Sequence, residues 1–560
     1  MGKILNFFTL NKQNLLTACF LFVILLFAVV TRFYNLSAVT SGFHIDEAII
    51  ADNAYSIMQT GKDTDNNFLP LQTEQFGDFN PTGYAYLAII PIKILGLTIF
   101  AARSVGAALS VLTVLGVFLL TYSIFERKNL SLLTALLVAL SPWDIVLSRS
   151  TEETVSALVF IVFGFASLIW GIKKEKVRYL LLAAAALFIS FFMYFTPRLF
   201  VPLLLLAFFI PVKYWYQKRK ALFTKVFIGC FIFLSVTALF LVVGVKGGAS
   251  RANQVSIFGF PETQLVMAEQ IREDGSQGTS ALITRLFHNK PLNYSLTFTR
   301  NYLQYFSGAF LFTDGGLPIW FRVPGMGLVY LIELPFILYG LYWFFREKRS
   351  WSFIVILWLL LAPVIAALTV DDIPNVRRAL IMVPMLEMLT AYGVLAAYKN
   401  IPRKIQKAAV IFFIVILSFN SLYFFHQYFI HSPIHQNWYR NAGFGEMVAA
   451  VKKDYSSYDK VIVTKSLGGI YPLILFYMQY NPATYQQEGF PKDRAYGGFG
   501  KFFFAEAACP SKDRDLRFPN VKKTIYVDNG NCPDYPALSG IKHTYVVGKD
   551  GVKIFRIVYE

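Results

Sequence analysis

Charged residues are scarce in this sequence. Asp, Glu, Lys and Arg make up 15% of the 560 residues, whereas 56% are hydrophobic. The mean hydropathy is +0.50. A water-soluble domain cannot hide that much apolar surface, so the composition excludes a soluble globular protein. Repeated apolar runs of about 18 to 22 residues indicate a polytopic membrane protein instead.

Cysteines are also few, and there are only four. Cys19 and Cys230 lie in apolar runs, where we expect inert packing residues. Cys509 and Cys532 lie in a polar tail, where they can form a disulfide if the tail is outside the cell. The apolar run 15–30 is not followed by a small-residue cleavage site, so we expect a retained first span rather than a signal peptide.

Nucleotide-binding motifs are absent from the sequence. It has no Walker loop and no glycine-rich turn of the dinucleotide-binding type after a strand. The net charge of +18 does not require a nucleic-acid partner, because in a membrane protein it first predicts cytoplasmic loops rich in Lys and Arg. We therefore expect neither a nucleotide cofactor nor a nucleic-acid partner.

The apolar runs and the loops between them predict the topology. The long runs are 15–34, 102–124, 129–147, 153–172, 179–196, 198–212, 224–244, 326–344, 351–369, 379–398 and 406–424. Basic residues recur in every second loop, at 126–128, 173–176, 213–220, 346–349 and 399–404. This recurrence holds only if the shorter run 82–98 is re-entrant or interfacial. The positive-inside rule then predicts about eleven spans with a cytoplasmic N-terminus.

Three segments lie outside the membrane in this topology: the outer loops 35–101 and 245–325, and the tail 425–560. The tail alternates helical and strand-like stretches, which is typical of a small α/β domain. Its predicted elements are helices at 443–455 and 470–479 and strands at 461–463, 524–527, 544–547 and 553–558. We therefore expect a membrane domain over 1–429 and an extracytoplasmic domain over 430–560, in a plasma-membrane protein.

Two adjacent carboxylates, Asp46 and Glu47, lie just beyond the first predicted span. A bilayer gives no reason for paired acids there, whereas a reaction that removes a proton or neutralises a cation does. The alternative is that they only cap and begin a helix over 48–59, since acids stabilise a helix N-terminus. The spacing alone leaves both interpretations open.

Four more polar groups fall on the same predicted face of the membrane. They are Glu74 with 77–81, which includes Asp78 and Asn80; 148–153, with Arg149 and Glu153; 194–198, with Tyr194 and Arg198; and 371–378, with Asn375, Arg377 and Arg378. Singly, each arginine can snorkel to lipid headgroups. Together, carboxylates beside arginines suit a substrate that carries a phosphate and a group that loses a proton. Without a nucleotide motif, we expect that phosphate on a lipid.

Several motifs, taken in order, resemble those of the GT-C membrane glycosyltransferases. The resemblance is to the family 39 type, which is related to protein O-mannosyltransferases and to the aminoarabinose transferases of lipid A, and it covers about 15–430. The motifs are Asp46-Glu47, 77–81, Ser141-Pro142-Trp143, Ser148-Arg149 with Glu153, Asn289-Lys290-Pro291, Asn301-Tyr302, Phe306-Ser307, and 371–374 with Arg378.

The resemblance implies a fold and an activity. The fold is a polytopic α-helical GT-C membrane protein with interfacial helices in the first outer loop and a small C-terminal α/β domain. The activity is inverting transfer of a sugar from a polyprenyl-phosphate carrier to a protein, lipid or glycan acceptor at the extracytoplasmic face.

The resemblance also implies roles for individual residues. Asp46 would be the general base, Glu47 its assistant or a cation ligand, and Glu153 the second acid. Arg149, Arg198, Arg377 and Arg378 would hold the donor phosphate, and Asp78, Asn80, Tyr194 and Asn375 would line the cavity.

The sequence departs from this family pattern at two places. Relatives often have Lys-Pro-Pro at 80–82 and His at 375, where this chain has Asn80-Pro81-Thr82 and Asn375. The resemblance implies that the lysine of this motif lies near the lipid phosphate in relatives. In this chain, its role in binding the phosphate must therefore pass to an arginine or be weaker.

Two further questions stay open at the level of sequence. His44, Asp46 and Glu47 are candidate ligands for a divalent cation, although arginines alone can stabilise a leaving phosphate. The alternative function is a transporter or flippase of a lipid-linked sugar, which predicts internal repeats and acids at mid-membrane depth that we do not find. A third hypothesis is a receptor whose tail binds glycan.

Overall fold

The computed structural model of the protein describes residues 12–208, 221–243, 255–347, 351–435, 438–488, 497–513 and 523–560. The predicted basic loop 213–220 and residues 348–349 of another such loop lie outside these ranges. The chain separates into two compact units. Unit 1 comprises 1–34 and 106–424, and unit 2 comprises 35–105 and 425–560. The first outer loop thus belongs to the same unit as the tail.

Helices dominate the described residues. In chain order they are α1 Lys12–Phe33, α2 Ile45–Thr60, α3 Gly83–Leu95, α4 Ile99–Phe125, α5 Lys128–Leu140, α6 Pro142–Ser148, α7 Glu153–Lys174, α8 Val177–Met193, α9 Thr196–Ala207, α10 Ala221–Val243, α11 Pro261–Ser276, α12 Ala281–Phe287, α13 Lys290–Gln304, α14 Glu333–Glu347, α15 Phe353–Leu361, α16 Val364–Ala367, α17 Val383–Asn400, α18 Arg403–His426, α19 Ser432–His435, α20 Phe444–Asp454, α21 Tyr471–Met478 and α22 Pro482–Gln487. Short π-helical turns occupy Ala309–Asp314 and Gln427–His431, and short 3-10 turns occupy Ile319–Phe321, Leu380–Met382, Trp438–Arg440, Tyr455–Ser457 and Pro536–Gly540.

The strands are β1 Gln72–Gln75, β2 Asp78–Pro81, β3 Lys460–Thr464, β4 Phe502–Ala505, β5 Thr524–Asn529, β6 Lys542–Val547 and β7 Lys553–Tyr559. All of them belong to unit 2. β1 and β2 form an antiparallel hairpin, and the other strands form a five-stranded sheet.

The apolar helices confirm a multi-pass membrane protein. Among the described residues, six helices are long and apolar enough to span a membrane, and a seventh is obtained if α5 and α6, bent by 54°, count as one span. Four further apolar helices are shorter, at Gly83–Leu95, Val177–Met193, Thr196–Leu206 and Phe353–Ala367. The predicted total of eleven spans therefore stays a prediction.

Two segments illustrate what limits the length of the apolar helices. α3 has 13 residues, a length of about 20 Å at 1.5 Å per residue, so it is too short to cross the hydrocarbon core. This agrees with the short helix expected at 82–98. The run predicted from 326, by contrast, becomes helical only at Glu333, because the Leu328 and Val329 amides both donate to the Leu311 carbonyl at 2.8 Å.

The tail folds as the small α/β domain that its alternating pattern predicts. The sheet order is β4-β3-β5-β7-β6, with β3 parallel to β4 and β5, and β7 antiparallel to β5 and β6. β3 and β5 are buried over nearly their whole length, whereas the edge strand β6 is largely exposed, as expected of central and edge strands. Both predicted helices and all four predicted strands are confirmed, and the disulfide between Cys509 and Cys532 is present. α22 and β4 were not predicted from the sequence.

Candidate active site

The acidic pair lies at the N-terminus of α2, in unit 2. α2 begins at Ile45, and its N-cap is His44 rather than Asp46. The His44 Nδ1 accepts a hydrogen bond from the Asp46 amide at 3.2 Å, and the His44 amide donates to Glu47 Oε1 at 3.2 Å. This reciprocal capping box provides hydrogen-bond acceptors for two backbone amides that would lack one at the start of an uncapped helix. The helix-start interpretation is therefore confirmed for Glu47, with His44 as the cap.

Glu47 is sealed inside unit 2 by an arginine. Arg103 Nε donates to Glu47 Oε2, and Arg103 Nη2 donates to Glu47 Oε1, both at 2.8 Å. The side chains are 0% and 3% exposed, respectively. Arg103 also donates to the carbonyls of Leu36 and Gly42. The fork of the guanidinium matches the carboxylate, so Glu47 positions the loop before α2 and is withheld from solvent.

Asp46 has the opposite environment. Its side chain is 36% exposed, and Oδ2 lies 3.5 Å from His44 Nδ1. Because Nδ1 accepts the Asp46 amide proton, a neutral His44 ring carries its own proton on Nε2. Adjacent acids on a helix point about 100° apart, which is how one is buried while its neighbour stays accessible.

The segment before α2 is fixed by the tail within unit 2. The Ile45 amide donates to Asn441 Oδ1 at 3.1 Å, and the Phe43 ring packs against Phe476 with centroids 4.5 Å apart. Gly42 adopts φ +87°, and a Cβ there would lie 2.2 Å from the Arg440 carbonyl oxygen. Only glycine suits both the left-handed conformation and this close approach. The tail therefore determines the geometry around Asp46.

Asp78 and Asn80 belong to the β1–β2 hairpin of the same unit. Asp78 Oδ1 accepts the Phe79 amide at 2.9 Å, and Asn80 Nδ2 donates to Gln75 Oε1 at 2.7 Å. Both side chains are half-buried. These contacts stabilise the hairpin and leave part of each side chain accessible.

The loop 371–378 carries four charged candidate or neighbouring side chains in unit 1, two acids and two arginines. Arg378 Nη1 donates to Thr369 Oγ1 at 2.7 Å, and Nη2 donates to Asp371 Oδ2 at 2.8 Å. The Arg378 side chain is 8% exposed, whereas that of Asp371 is 48% exposed. Burial raises the pKa of the neighbouring Asp372. Arg378 is thus buried, whereas the carboxylate of Asp371 that it binds is about half exposed to solvent.

Asn375 organises the backbone of this loop. It is fully buried, its Oδ1 accepts the amides of Arg377 and Arg378 at 3.0 Å, and its own amide donates to Tyr305 Oη at 3.0 Å. Burial raises the pKa of the Tyr305 phenol, which keeps that hydroxyl protonated. Trp143 of the predicted motif donates Nε1 to the Val376 carbonyl at 2.9 Å. Asn375 therefore stabilises the backbone of this loop and orients the segment that carries Arg377 and Arg378.

The second acidic position lies at the start of α7. Glu153 is the first residue of that helix and is 7% exposed. The preceding residue, Glu152, pairs with Arg377 at 3.8 Å between Oε1 and Nη1. Arg377 is 19% exposed. The structure thus brings 148–153 and 371–378 together within unit 1.

The side chains of Arg149 and Arg198 are buried and form hydrogen bonds with backbone carbonyls of the protein. Arg149 is fully buried, and its Nη1 donates to the carbonyls of Thr31 and Arg32 at 3.0 and 2.9 Å. Arg198 donates to the carbonyls of Phe191 and Leu241 and lies over the Phe195 ring. Tyr194, at the end of α8, is also buried. The snorkelling alternative does not describe these two arginines, since both point into the protein.

Sequence reasoning missed the buried partners of these groups. Arg32 pairs with Asp144 at 2.8 Å, both are fully buried, and Ser110 also donates to Asp144. Arg103 was missed as well, although a charge at the edge of an apolar run is itself a signal.

Asp52 on α2 is 6% exposed, and its Oδ2 has no hydrogen-bond partner among the described residues. Burial raises the pKa of Asp52 well above its ordinary value.

The three candidate cation ligands do not form a ready-made site. Both Glu47 oxygens are bound by Arg103, and His44 Nδ1 accepts a backbone amide. Within the described ranges, no group of three or more His, Cys, Asp or Glu side chains is arranged to hold a metal ion.

Comparison with known proteins agrees with this architecture. Residues 80–240 match the family model described as dolichyl-phosphate-mannose-protein mannosyltransferase. The matched stretch includes Arg149, Glu153 and Arg198 but neither Asp46 nor the loop 371–378. A sequence search of the curated proteins finds no match.

Solved structures show the fold more completely. The chain is similar to ArnT from Cupriavidus metallidurans in the apo state, with 12% identity, 98% of each chain covered and a TM-score of 0.51. It is similar to the same protein bound to undecaprenyl phosphate, with 13% identity, 96% and 97% covered and a TM-score of 0.53. It is also similar to the oligosaccharyltransferase AglB from Archaeoglobus fulgidus in complex with an inhibitory peptide and a dolichol-phosphate. The identity is 14%, the match covers 91% of this chain and 69% of AglB, and the TM-score is 0.51. The chain therefore has the GT-C glycosyltransferase fold, which confirms the resemblance at the level of fold.

Proposed function

We propose that this chain, which has the GT-C fold, is a glycosyltransferase that moves a sugar from a polyprenyl-phosphate donor to an acceptor at the extracytoplasmic face of the plasma membrane. The observation that carries the proposal is the unequal environment of the acidic pair: Glu47 is locked by Arg103, and Asp46 is left accessible. Support also comes from the matched family stretch and from the similar structures that contain undecaprenyl phosphate or dolichol-phosphate.

Asp46 is the general base in this proposal. Its carboxylate takes the proton of the acceptor hydroxyl as the acceptor oxygen attacks the anomeric carbon. The bond between that carbon and the phosphate oxygen breaks on the opposite face, so the configuration inverts, and the polyprenyl phosphate leaves with the electron pair. Glu47 assists by holding the N-terminus of α2 in place through Arg103 and His44.

Arginines stabilise the departing phosphate. Arg378 and Arg377 suit this role best, because the Asp371 side chain that Arg378 binds is 48% exposed and the contact between Arg377 and Glu152 is as long as 3.8 Å. An incoming phosphate can compete for such donors, and preorganised cations are an effective way to stabilise charge that develops on a leaving group. Arg149 and Arg198, bound to backbone carbonyls, act on the phosphate at longer range.

The other predicted residues take supporting roles. Glu153 is the second acid and hydrogen-bonds the sugar or the acceptor. Asp78, Asn80 and Tyr194 contact the substrate, and Asn375 aims the two arginines. A divalent cation at Asp46 would have to be held with His44 Nε2 and oxygens of the substrate, since Glu47 is engaged. We expect transfer to survive treatment with EDTA.

The sidedness of the proposal has independent support. Disulfides persist in oxidising compartments, and the Cys509–Cys532 bond therefore favours an extracytoplasmic tail. The positive-inside pattern of the loops predicts the same orientation, with the N-terminus in the cytoplasm.

The decisive experiment follows the donor lipid in proteoliposomes. The purified protein is supplied with a panel of undecaprenyl-phosphate hexoses and pentoses and a membrane extract as acceptor, and released undecaprenyl phosphate is quantified by mass spectrometry. Asp46→Asn should lower turnover by about 100-fold or more, the usual scale for losing a general base. The matched control Asp459→Asn, an exposed acid of the tail, should retain activity. Near-normal turnover by Asp46→Asn would contradict the base assignment, and movement of labelled donor without a covalent product would favour a flippase.

A further inference from the structure

Three helices of unit 1, α11 to α13, carry a surface that packing among the described residues does not explain. α12 has no buried residue. Its apolar side chains are largely exposed, with Leu282 at 80%, Leu286 at 64% and Phe287 at 58%. Soluble surfaces rarely collect exposed large apolar residues in this way, and such patches mark binding surfaces.

The exposed side chains of α12 lie on one face. At 100° per residue, Leu282, Leu286, Ile283 and Phe287 span an arc of about 140°, and Arg285 lies about 60° beyond Leu282 on the flank. Leu296 of α13 is similarly exposed. The arrangement is that of an amphipathic helix with a cation beside its apolar stripe.

Charge on this segment is of one sign. From Ala281 to Gln304 the sequence contains Arg285, Lys290 and Arg300 but no Asp or Glu. Basic residues that flank an apolar face are the composition of helices that lie on an anionic membrane surface.

The position of α13 places this segment at the end of an apolar helix. Asn301 Nδ2 donates to the carbonyls of Ala367 and Thr369, and Tyr302 Oη donates to the Leu360 carbonyl at 2.8 Å. The Ala367 and Thr369 carbonyls lie at the end of the apolar stretch Phe353–Ala367 and just after it, whereas the Leu360 carbonyl lies near its middle. α13 is thereby fixed where an apolar helix gives way to the polar loop 371–378.

Aromatic side chains mark the same boundary. Phe298, Tyr302 and Phe306 form a ladder at intervals of four residues, with ring centroids 5.7 and 5.4 Å apart. Tyr294 packs on Phe258 with centroids 5.1 Å apart. Tyrosines are enriched where a protein crosses the membrane–water interface.

We propose that α12 and the exposed face of α13 bind the surface of the bilayer that the protein spans. Leu282, Leu286 and Phe287 insert at the boundary between headgroups and acyl chains, and Arg285, Lys290 and Arg300 contact the phosphates of anionic lipids. Phe233 and Val236 of α10, a helix long and apolar enough to span the membrane, are similarly exposed. This surface is independent of the glycosyltransferase proposal.

Fluorescence quenching by brominated lipids tests the inference. In a Cys19→Ser, Cys230→Ser background, single cysteines are introduced by Leu286→Cys, by Thr284→Cys as a matched control on the same helix, and by Phe233→Cys as a lipid-facing reference. Each is labelled with bimane and reconstituted in nanodiscs of phosphatidylcholine with brominated acyl chains. We expect quenching at Leu286→Cys to be at least threefold stronger than at Thr284→Cys and to approach that at Phe233→Cys.

The charge contribution is measured in the same way. With 30% phosphatidylglycerol in the disc, combining Arg285→Gln, Lys290→Gln and Arg300→Gln should halve the quenching at position 286, and it should have little effect in pure phosphatidylcholine. Equal quenching at 286 and 284, or stronger quenching at 286 by aqueous iodide, would overturn the inference. Protection that appears only with two protein copies per disc would overturn it in favour of a homodimer interface.

Discussion

Two arginine–carboxylate pairs, one in each unit, use the same chemistry in different surroundings. In unit 2, Arg103 and Glu47 are 0% and 3% exposed, and both guanidinium edges are occupied. In unit 1, Arg378 is 8% exposed but its partner Asp371 is 48% exposed. A sealed pair cannot exchange partners without unfolding its surroundings, whereas a half-open pair can. We therefore assign the Arg103–Glu47 pair to positioning the start of α2 and the Arg378–Asp371 pair to substrate binding.

Breaking the sealed pair should have the largest effect. Arg103→Ala leaves Glu47 charged, buried and unpaired, which costs roughly 3–5 kcal/mol of stability. Thermal unfolding in detergent should show the largest decrease in Tm of the variants considered, together with loss of transfer.

A double variant separates charge from packing in that experiment. Arg103→Met with Glu47→Leu removes both charges and should recover most of the lost stability, because well-packed apolar residues can replace a buried ion pair. A single Arg103→Ala variant that is as stable as the wild type would refute the sealed-pair description.

Breaking the half-open pair should affect the donor instead. Arg378→Ala removes charged hydrogen bonds worth about 1.5–3 kcal/mol to a phosphate, which corresponds to a decrease of roughly 10- to 100-fold in kcat/KM for the donor. Its Tm should change little, since Asp371 remains hydrated.

The control for this variant is Arg322→Ala, which removes an arginine paired with the exposed Asp314. It should leave donor kinetics unchanged. Arg378→Lys should fall between wild type and Arg378→Ala, because it keeps the charge and loses the fork. Unchanged kcat and KM in Arg378→Ala would argue against a phosphate role.

Asp52 is a further buried acid, and in the part of the chain that the structure describes no arginine is paired with it. The phenols of Tyr471 and Tyr485 interact with it electrostatically. Its raised pKa in the folded state means that the folded protein binds the proton more tightly than the unfolded chain. Its contribution to stability is therefore complete below about pH 4, the ordinary pKa of Asp, and is lost as the pH rises towards the folded-state pKa.

Asp52→Asn removes this pH dependence. The Tm of the variant relative to wild type should increase between pH 5 and pH 8, whereas Asp459→Asn should show no such trend. A Tm difference that is independent of pH would contradict a protonated Asp52.

The smallest effect is expected at the contact that orients the start of α2. Asn441→Gly removes the acceptor of the Ile45 amide while tolerating the φ of 53° at this position, so it should cost about 1 kcal/mol. Asn441→Asp keeps the acceptor and should resemble wild type in Tm and in donor kinetics. A loss as large as that of Arg103→Ala would show that this contact, rather than the ion pair, holds Asp46.

Much of the fold was predictable because its signals are local. Apolar runs of membrane length, basic loops and the helix–strand alternation of the tail depend on residues close in sequence. The short strand β4, Phe502–Ala505, was missed because it is held by pairing with β3, in which Val461 lies opposite Phe502, 41 positions away. The start of α14 was misplaced because its preceding backbone bonds to Leu311, seventeen positions before Leu328.

The site was predicted less evenly. Asp46, Glu47 and the loop 371–378 stood out as charges at the ends of apolar runs. Their partners did not, since Arg103 lies 56 residues from Glu47 and Asn441 lies 396 from Ile45. No periodic pattern connects such positions.

By itself, the sequence determined that this protein is a multi-pass membrane protein with an α/β tail and a cluster of acids and arginines at loop positions, because hydropathy and residue type act locally. Only the tertiary structure decided which acid of the pair is sealed and which is accessible. That choice depends on where Arg103 and the tail meet the first turn of α2, and burial of a charge is stable only when its partner arrives in the same place.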